Sequence, residues 1–389
     1  MRAIVIDSKV VRTGHTKPLF KTRTASLDLR NPKVLVVDIP DPKVGPTDIL
    51  IKIRACGICG SDVAMANEDA KGFVTYPFMM SNYIVRGHEF SGTVAAIGKQ
   101  VRRYWPDIEI GEPVTAQCVL NCGYCSACKI GAFDNCINGD ELGFTKNGAF
   151  AEFCSIDMRH VWSIKSFERV YGTDQETYQE LFLAGSLVEP HAGVYKAITE
   201  SSFTPGDSVL VVGLGTVGLA AVNVFRALGA GKIIGCDVRL VRRGGFDIAK
   251  ILGASSVYNP YEIPIDIAVK QETKGKGVNI IFEATGLADQ NWNAITNLLQ
   301  SGPHNAELIF FGQSKEDLAI NPQLFIQKYV RFSGSHGHTK VWKNVINLIA
   351  EQKIKPLSMN TNCITLENVP EYLDVLQHPN NQIKVSVLL

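Results

Sequence analysis

Nowhere does this chain come close to the roughly 18 consecutive apolar residues of a membrane-spanning helix, so no span is expected. Charge of one sign is also missing. Lys and Arg number 39 against 38 Asp and Glu, a formal net charge of +1. Without a basic excess, neither nucleic acid nor an anionic membrane surface is an expected partner. Internal repeats and low-complexity tracts are absent, which excludes solenoid and spacer architectures. The first apolar stretch, in MRAIVIDSKVVRTGHTK, is too short for a signal segment and runs straight into charge. A cytoplasmic location is therefore expected. Ten cysteines in 389 residues do not make a disulfide scaffold, and in a reducing compartment clustered cysteines point to metal.

The chain does have apolar material: 46% of its residues are hydrophobic. That is an ordinary globular balance, and the length predicts two domains. Up to about residue 190, short β-branched runs are broken by Gly and Pro, as in DILIKIRACG and EFSGTVAAIG. This spacing predicts a mostly β domain. The stretch from Lys165 to Leu181 is polar and less regular and reads as a surface insertion. From about residue 200 the pattern alternates. DSVLVVG, KIIGCDV, NIIFEATG and ELIFFG read as buried strands, with helical segments between them. Alternation of this kind predicts βαβ units and a doubly wound parallel sheet, an α/β fold. The expected division is residues 1–192 with 341–389 in one domain and 193–340 in the other. The closing KVSVLL returns to the first domain, since a lone strand needs a sheet to join.

Cys122, Cys125, Cys128 and Cys136 lie within NCGYCSACKIGAFDNC. Four thiolates can close a tetrahedral shell around zinc with no open position, which makes a structural site. A redox C-x-x-C is the rival, but two overlapping pairs plus a fourth cysteine fit metal better.

A second set is scattered. ACGICGSD and RGHEFSG are Gly-flanked turns carrying metal-capable side chains. Cys59, His88 and Glu89 could supply three ligands and leave one position open, as a catalytic zinc requires. Glu189, in SLVEPHAGVY, could be an exchangeable fourth. Cys56 competes with Cys59, because C-x-x-C can also form half of a zinc ribbon.

Gly213-Leu214-Gly215-Thr216-Val217-Gly218 is a G-x-G-x-x-G loop directly after a buried strand and opening a helix. Its glycines allow a tight turn, backbone approach to a pyrophosphate and close helix–strand packing. The helix N-terminus offers N–H groups to the phosphates. Asp237 ends the next strand at the offset of a ribose-binding acid. A carboxylate there repels a 2′-phosphate and favours NAD over NADP. Arg239, Arg242 and Arg243 follow closely; they could accommodate a phosphate, or simply form a solvated turn.

In combination, GHEFSG, the four-cysteine lobe, the glycine loop and EATG (Glu283 to Gly286) resemble the zinc-containing medium-chain dehydrogenases over essentially the whole chain. CGICGSD with HEFSG and LVEP is similar to the polyol branch, which includes sorbitol, threonine and glucose dehydrogenases. ELGF, GAFAEF, LFLAGSLVEP and GSHGH are closer still to bacterial inositol-type enzymes acting on inosose. The resemblance implies a GroES-like catalytic domain beside a Rossmann domain, and two zinc ions per chain. One zinc would sit on Cys59, His88 and Glu89, with Glu189 nearby. It implies reversible oxidation of a secondary hydroxyl of a polyol or cyclitol to a ketone, in a homodimer or homotetramer. Ser61 matches a proton-relaying hydroxyl and Asp62 an acid that orients the site. Thr285 joins the glycine loop, Asp237 and Arg242 as a cofactor-binding candidate. Polyol members often carry His five residues after the zinc cysteine, where this chain has Ala64. His191 and His338 are the candidates to replace it as base, with His336 behind them; the alternative is that water alone completes the relay and these histidines only hydrogen-bond substrate hydroxyls or cofactor. The rival classes are a zinc-free quinone-type reductase and a non-catalytic cofactor sensor.

Overall fold

A computed structural model describes residues 1–11, 28–174, 178–238, 245–313, 317–378 and 380–389. The chain divides into two compact units, Met1–Glu189 with Asn360–Leu389, and Pro190–Met359. No helix among the described residues is long and apolar enough to cross a membrane.

In the first unit, the strands Arg2–Val11 and Asp28–Asp38 form an antiparallel pair. A seven-stranded sheet carries the rest, running in the order Asn360–Thr365, Lys384–Leu388, Asp48–Gly57, Glu89–Ile97, Pro113–Ala116 and Val161–Ser163, with Phe153–Asp157 also on Asp48–Gly57. Along Asp48–Gly57 the side chains Ile49, Ile51 and Ile53 are buried while Lys52 between them is exposed. Side chains of successive strand residues point to opposite faces, so this alternation places one face in the core. The closing strand pairs antiparallel with Asp48–Gly57 and parallel with Asn360–Thr365.

Two expectations need correction. The helix Trp342–Ala350 belongs to the second unit, so the chain returns at Asn360 rather than at residue 341. The helix buries Trp342, Val345, Ile346 and Ile349 along one side, and this helical stripe needs a partner where it lies. Nor is the stretch from Lys165 simply a surface insertion. Phe167 and Leu181 are fully buried, and the helix Tyr178–Ser186 packs on the strands Asp48–Gly57 and Glu89–Ile97.

The second unit holds a six-stranded, wholly parallel sheet. Its order is Ser256–Tyr258, Lys232–Cys236, Ser208–Val212, Ile280–Glu283, Glu307–Phe310 and Arg331–Gly334. By position in the chain that is 3-2-1-4-5-6, the doubly wound dinucleotide-binding order. Val209 to Val212 are all buried, as strands covered on both faces must be.

Candidate metal centres and dinucleotide loop

The turn before His88 sets its position. Gly87 has φ +85°, and a Cβ there would lie 2.7 Å from the Phe150 ring and 2.9 Å from Cys56 Sγ. Only glycine fits. Cys59 precedes the short helix Gly60–Ala66, and its backbone N–H donates to Asp62 Oδ2 at 2.9 Å. Ligand atoms of Cys59, His88 and Glu89 consequently come within 4.8 Å of one another. Cys56 is not among them: it is fully buried in the strand, and burial pushes its thiol well above the ordinary range. The rivalry between the two cysteines therefore resolves toward Cys59.

The electrostatics suit a cation. Burial alone would lower the His88 pKa, yet the charge of Asp62 and the Cys59 side chain raise it well above its usual value. Burial raises Asp62, with His88 opposing. Asp62 Oδ1 and His88 Nδ1 stand 3.8 Å apart, and neither has a hydrogen-bond partner. Ser61 Oγ is likewise buried without a partner. A sulfur, a nitrogen and a carboxylate gathered in this way are the donor set zinc takes, with one tetrahedral position left open.

Two residues that the sequence pattern does not reveal complete this region. Lys384 Nζ ion-pairs with Glu89 Oε2 and donates to the Ile58 carbonyl at 2.8 Å. It is only 1% exposed. Cys118 Sγ lies 3.8 Å from Glu189 Oε1. Glu189 is thus outside the Cys59–His88–Glu89 group. Burial, and after it the charge of Glu89, pushes its carboxyl up to about 7.

The four-cysteine lobe lies between the two strands of the small antiparallel pair Val119–Leu120 and Asp140–Glu141. Cys122 and Cys128 sulfurs are 4.0 Å apart, and Cys125 and Cys136 sulfurs 3.8 Å. Zinc–sulfur bonds of about 2.3 Å in a tetrahedron require sulfur separations of about 3.8 Å. Backbone N–H groups of Cys122 and Cys125 donate to Cys136 and Cys122 sulfurs. Such donors favour thiolate, and the Cys128 backbone above all lowers Cys125 to about 6. Burial raises Cys128 to about 12.

In the second unit, the glycine loop joins Ser208–Val212 to the helix Thr216–Ala227. Gly213 has φ +90°, and a Cβ on Gly218 would sit 1.7 Å from the Gly213 carbonyl oxygen. Helix and strand therefore approach as a pyrophosphate-binding turn requires. Asp237 Oδ2 accepts from the Leu214 N–H at 2.7 Å, which ties the acid to the loop. Arg239, Arg242 and Arg243 lie outside the described residues.

Residues 45–166 match the alcohol dehydrogenase GroES-like domain, and residues 216–351 match the zinc-binding dehydrogenase family. The chain is 37% identical to a Thermotoga maritima scyllo-inosose 3-dehydrogenase, over 92% of this chain and 91% of that one. It belongs to the zinc-binding alcohol dehydrogenases. This dehydrogenase is also 27% identical to a Bacillus subtilis sorbitol dehydrogenase, over 96% of this chain and 98% of the relative. A solved structure from Thermotoga maritima superposes on it with a TM-score of 0.92 at 34% identity, covering 100% of both chains. The expected fold pair and enzyme class hold.

The three candidate histidines have these partners. The Trp342 indole Nε1–H donates to His338 Nδ1 at 3.0 Å. A neutral ring accepting at Nδ1 carries its proton on Nε2. His191 is fully buried, with its Nε2 facing Asn223 Nδ2 at 3.4 Å. Asn223 Oδ1 accepts from the Lys355 N–H, which turns the amide nitrogen toward His191 and makes Nε2 the acceptor. His336 is exposed, and its carbonyl accepts from Lys196 Nζ.

Proposed function

We propose that this dehydrogenase oxidises a secondary hydroxyl of a polyol or cyclitol to a ketone, reversibly, with NAD as hydride acceptor and two zinc ions per chain. The observation that carries the reading is the Cys59–His88–Glu89 group, flanked by the buried Asp62 and Lys384 and the half-buried Glu189. A hydrophobic alcohol would offer nothing to the buried, unpartnered Ser61 Oγ and Asp62 Oδ1, and each buried unsatisfied group costs roughly 1 to 3 kcal/mol. A polyhydroxylated substrate supplies partners. The likeness to the Thermotoga scyllo-inosose dehydrogenase favours a cyclitol.

Cys59, His88 and Glu89 would hold the catalytic ion, and Cys122, Cys125, Cys128 and Cys136 the structural one. Bound at the first group, zinc would supply Lewis-acid polarisation of the substrate hydroxyl. The nicotinamide would supply the hydride acceptor. Asp62 orients the His88 ring from its Nδ1 side, as carboxylates behind metal-bound histidines do. Lys384 holds Glu89 in one rotamer. Ser61, with an unpartnered buried hydroxyl, takes the substrate O–H proton and passes its own onward. Because both His191 and His338 accept at a ring nitrogen, we assign the next step to water rather than to either histidine. Asp237 accepts from a ribose hydroxyl and sets the preference for NAD.

A panel of inositols, inososes, sorbitol, ethanol and benzyl alcohol, assayed with NAD(H) and NADP(H) by reduced-nicotinamide absorbance, tests the reading. Inositols or inososes are expected to show the highest kcat/KM. Ethanol or benzyl alcohol outperforming them would overturn the substrate class.

A further inference from the structure

Glu283 closes the strand Ile280–Glu283 and is wholly buried, with no ion pair among the described residues. A carboxylate in that setting must be met by hydrogen-bond donors. Its donors come from one tight turn. Oε1 accepts from the Thr285 N–H at 2.8 Å and from the Thr285 hydroxyl, and Oε2 faces the Gly286 N–H at 3.4 Å. The Thr285 hydroxyl in turn accepts from the Leu287 N–H at 2.9 Å. The proton of that hydroxyl is used inside the turn, so toward cofactor it could only accept.

The same residue holds the neighbouring loop. The Glu283 carbonyl accepts from the N–H groups of Phe311 and Gly312, at 3.0 and 2.9 Å. The fit is close enough that a Cβ on Gly312 would lie 2.2 Å from Gly286 N and 2.8 Å from Glu283 Oε2. On the opposite side, a Cβ on Gly213 would lie 2.6 Å from the Thr285 methyl. The turn at 284–287 is thus wedged between the phosphate loop and residues 311–313.

The sheet order places its switch point between Ser208–Val212 and Ile280–Glu283. A dinucleotide crosses a doubly wound sheet at that point, with one nucleotide on each half. Asp237 and the glycine loop belong to the adenosine half, which leaves the turn at 284–287 and residues 311–313 to the nicotinamide half.

We propose that Glu283 is a positioning residue for the nicotinamide half of the cofactor, its buried carboxylate joining the two loops on which that half rests. The proposal depends on the dinucleotide reading above. ADP-ribose, which lacks nicotinamide, separates the two. The full-length enzyme would be titrated with NADH and with ADP-ribose by fluorescence and calorimetry. Glu283→Ala is expected to weaken NADH at least about fivefold, the effect of one or more lost hydrogen bonds, and to leave ADP-ribose within about twofold. Glu283→Gln keeps one acceptor for Thr285 and should recover most of the loss. If Glu283→Ala does not fold, Thr285→Val, which keeps the shape and removes the hydroxyl, should show the same selective loss. Equal weakening of both ligands, or of neither, overturns the positioning role. A wild type that binds neither ligand overturns the dinucleotide reading, and the proposal with it.

Discussion

Lys384, on the last strand, and Glu89, beside His88, form an ion pair in which neither partner is more than 2% exposed. Breaking such a pair from one side leaves an uncompensated charge in the interior, which costs about 3–5 kcal/mol. Lys384→Met is therefore expected to destabilise the first unit by that order. The double variant with Glu89→Gln should regain part of the loss, because it removes the stranded carboxylate as well. Denaturant unfolding of the three proteins checks this. A Lys384→Met protein as stable as the wild type would show that the pair contributes little.

Cys128→Ser removes one corner of the four-sulfur lobe. The expected result is loss of about one zinc per chain and a lower unfolding midpoint, since structural metal binding contributes directly to folding. Elemental analysis after gel filtration measures the first, and thermal unfolding the second. Unchanged zinc content would mean that the lobe holds none.

Asp237→Ser should move cofactor preference from NAD toward NADP by about tenfold, the scale of one hydrogen bond to a charged group. Because Asp237 also accepts from the Leu214 N–H, affinity for both cofactors should fall as well. The ratio of the two kcat/KM values is thus the quantity to compare. A wild type that already prefers NADP contradicts the ribose argument.

His160 provides a pH test at a residue outside both metal-ligand groups. It is buried, its Nδ1 lies 2.7 Å from Gln117 Nε2, and burial, then Arg159, lowers its pKa to about 4. Between about pH 6.5 and 4 the unfolded chain binds a proton that the folded chain refuses, so acidification through that window draws the protein toward unfolding. Above it both states are neutral at this site, and below it both are charged and the loss stops growing. A shift of this size corresponds to roughly 3 kcal/mol. Urea unfolding of the wild type and His160→Gln should diverge in pH dependence within that window. Parallel curves would remove His160 as the cause.

The metal lobe, the glycine loop and the alternating second domain were readable in the one-dimensional chain because their chemistry is local. Four cysteines within fifteen residues, or three glycines within six, constrain geometry through backbone spacing alone. The Cys59–His88–Glu89 group was readable only as candidates, since turns at two places in the chain had to converge; Cys56, the weaker rival, is buried in the strand and does not join the group. Lys384 carries no signal of its own. It lies 295 residues from Glu89, and only the pairing of the closing strand with Asp48–Gly57 brings them together. For His191 and His338, residue type suggested bases, and only the packed structure shows which neighbours face their rings. Neither Trp342 donating to one ring nor Asn223 facing the other is visible before the helices are packed. Local spacing determined which residues could do chemistry, and tertiary packing decided which nitrogen, carboxylate or ammonium was left available, because hydrogen-bond partners and burial are properties of contacts between distant parts of the chain.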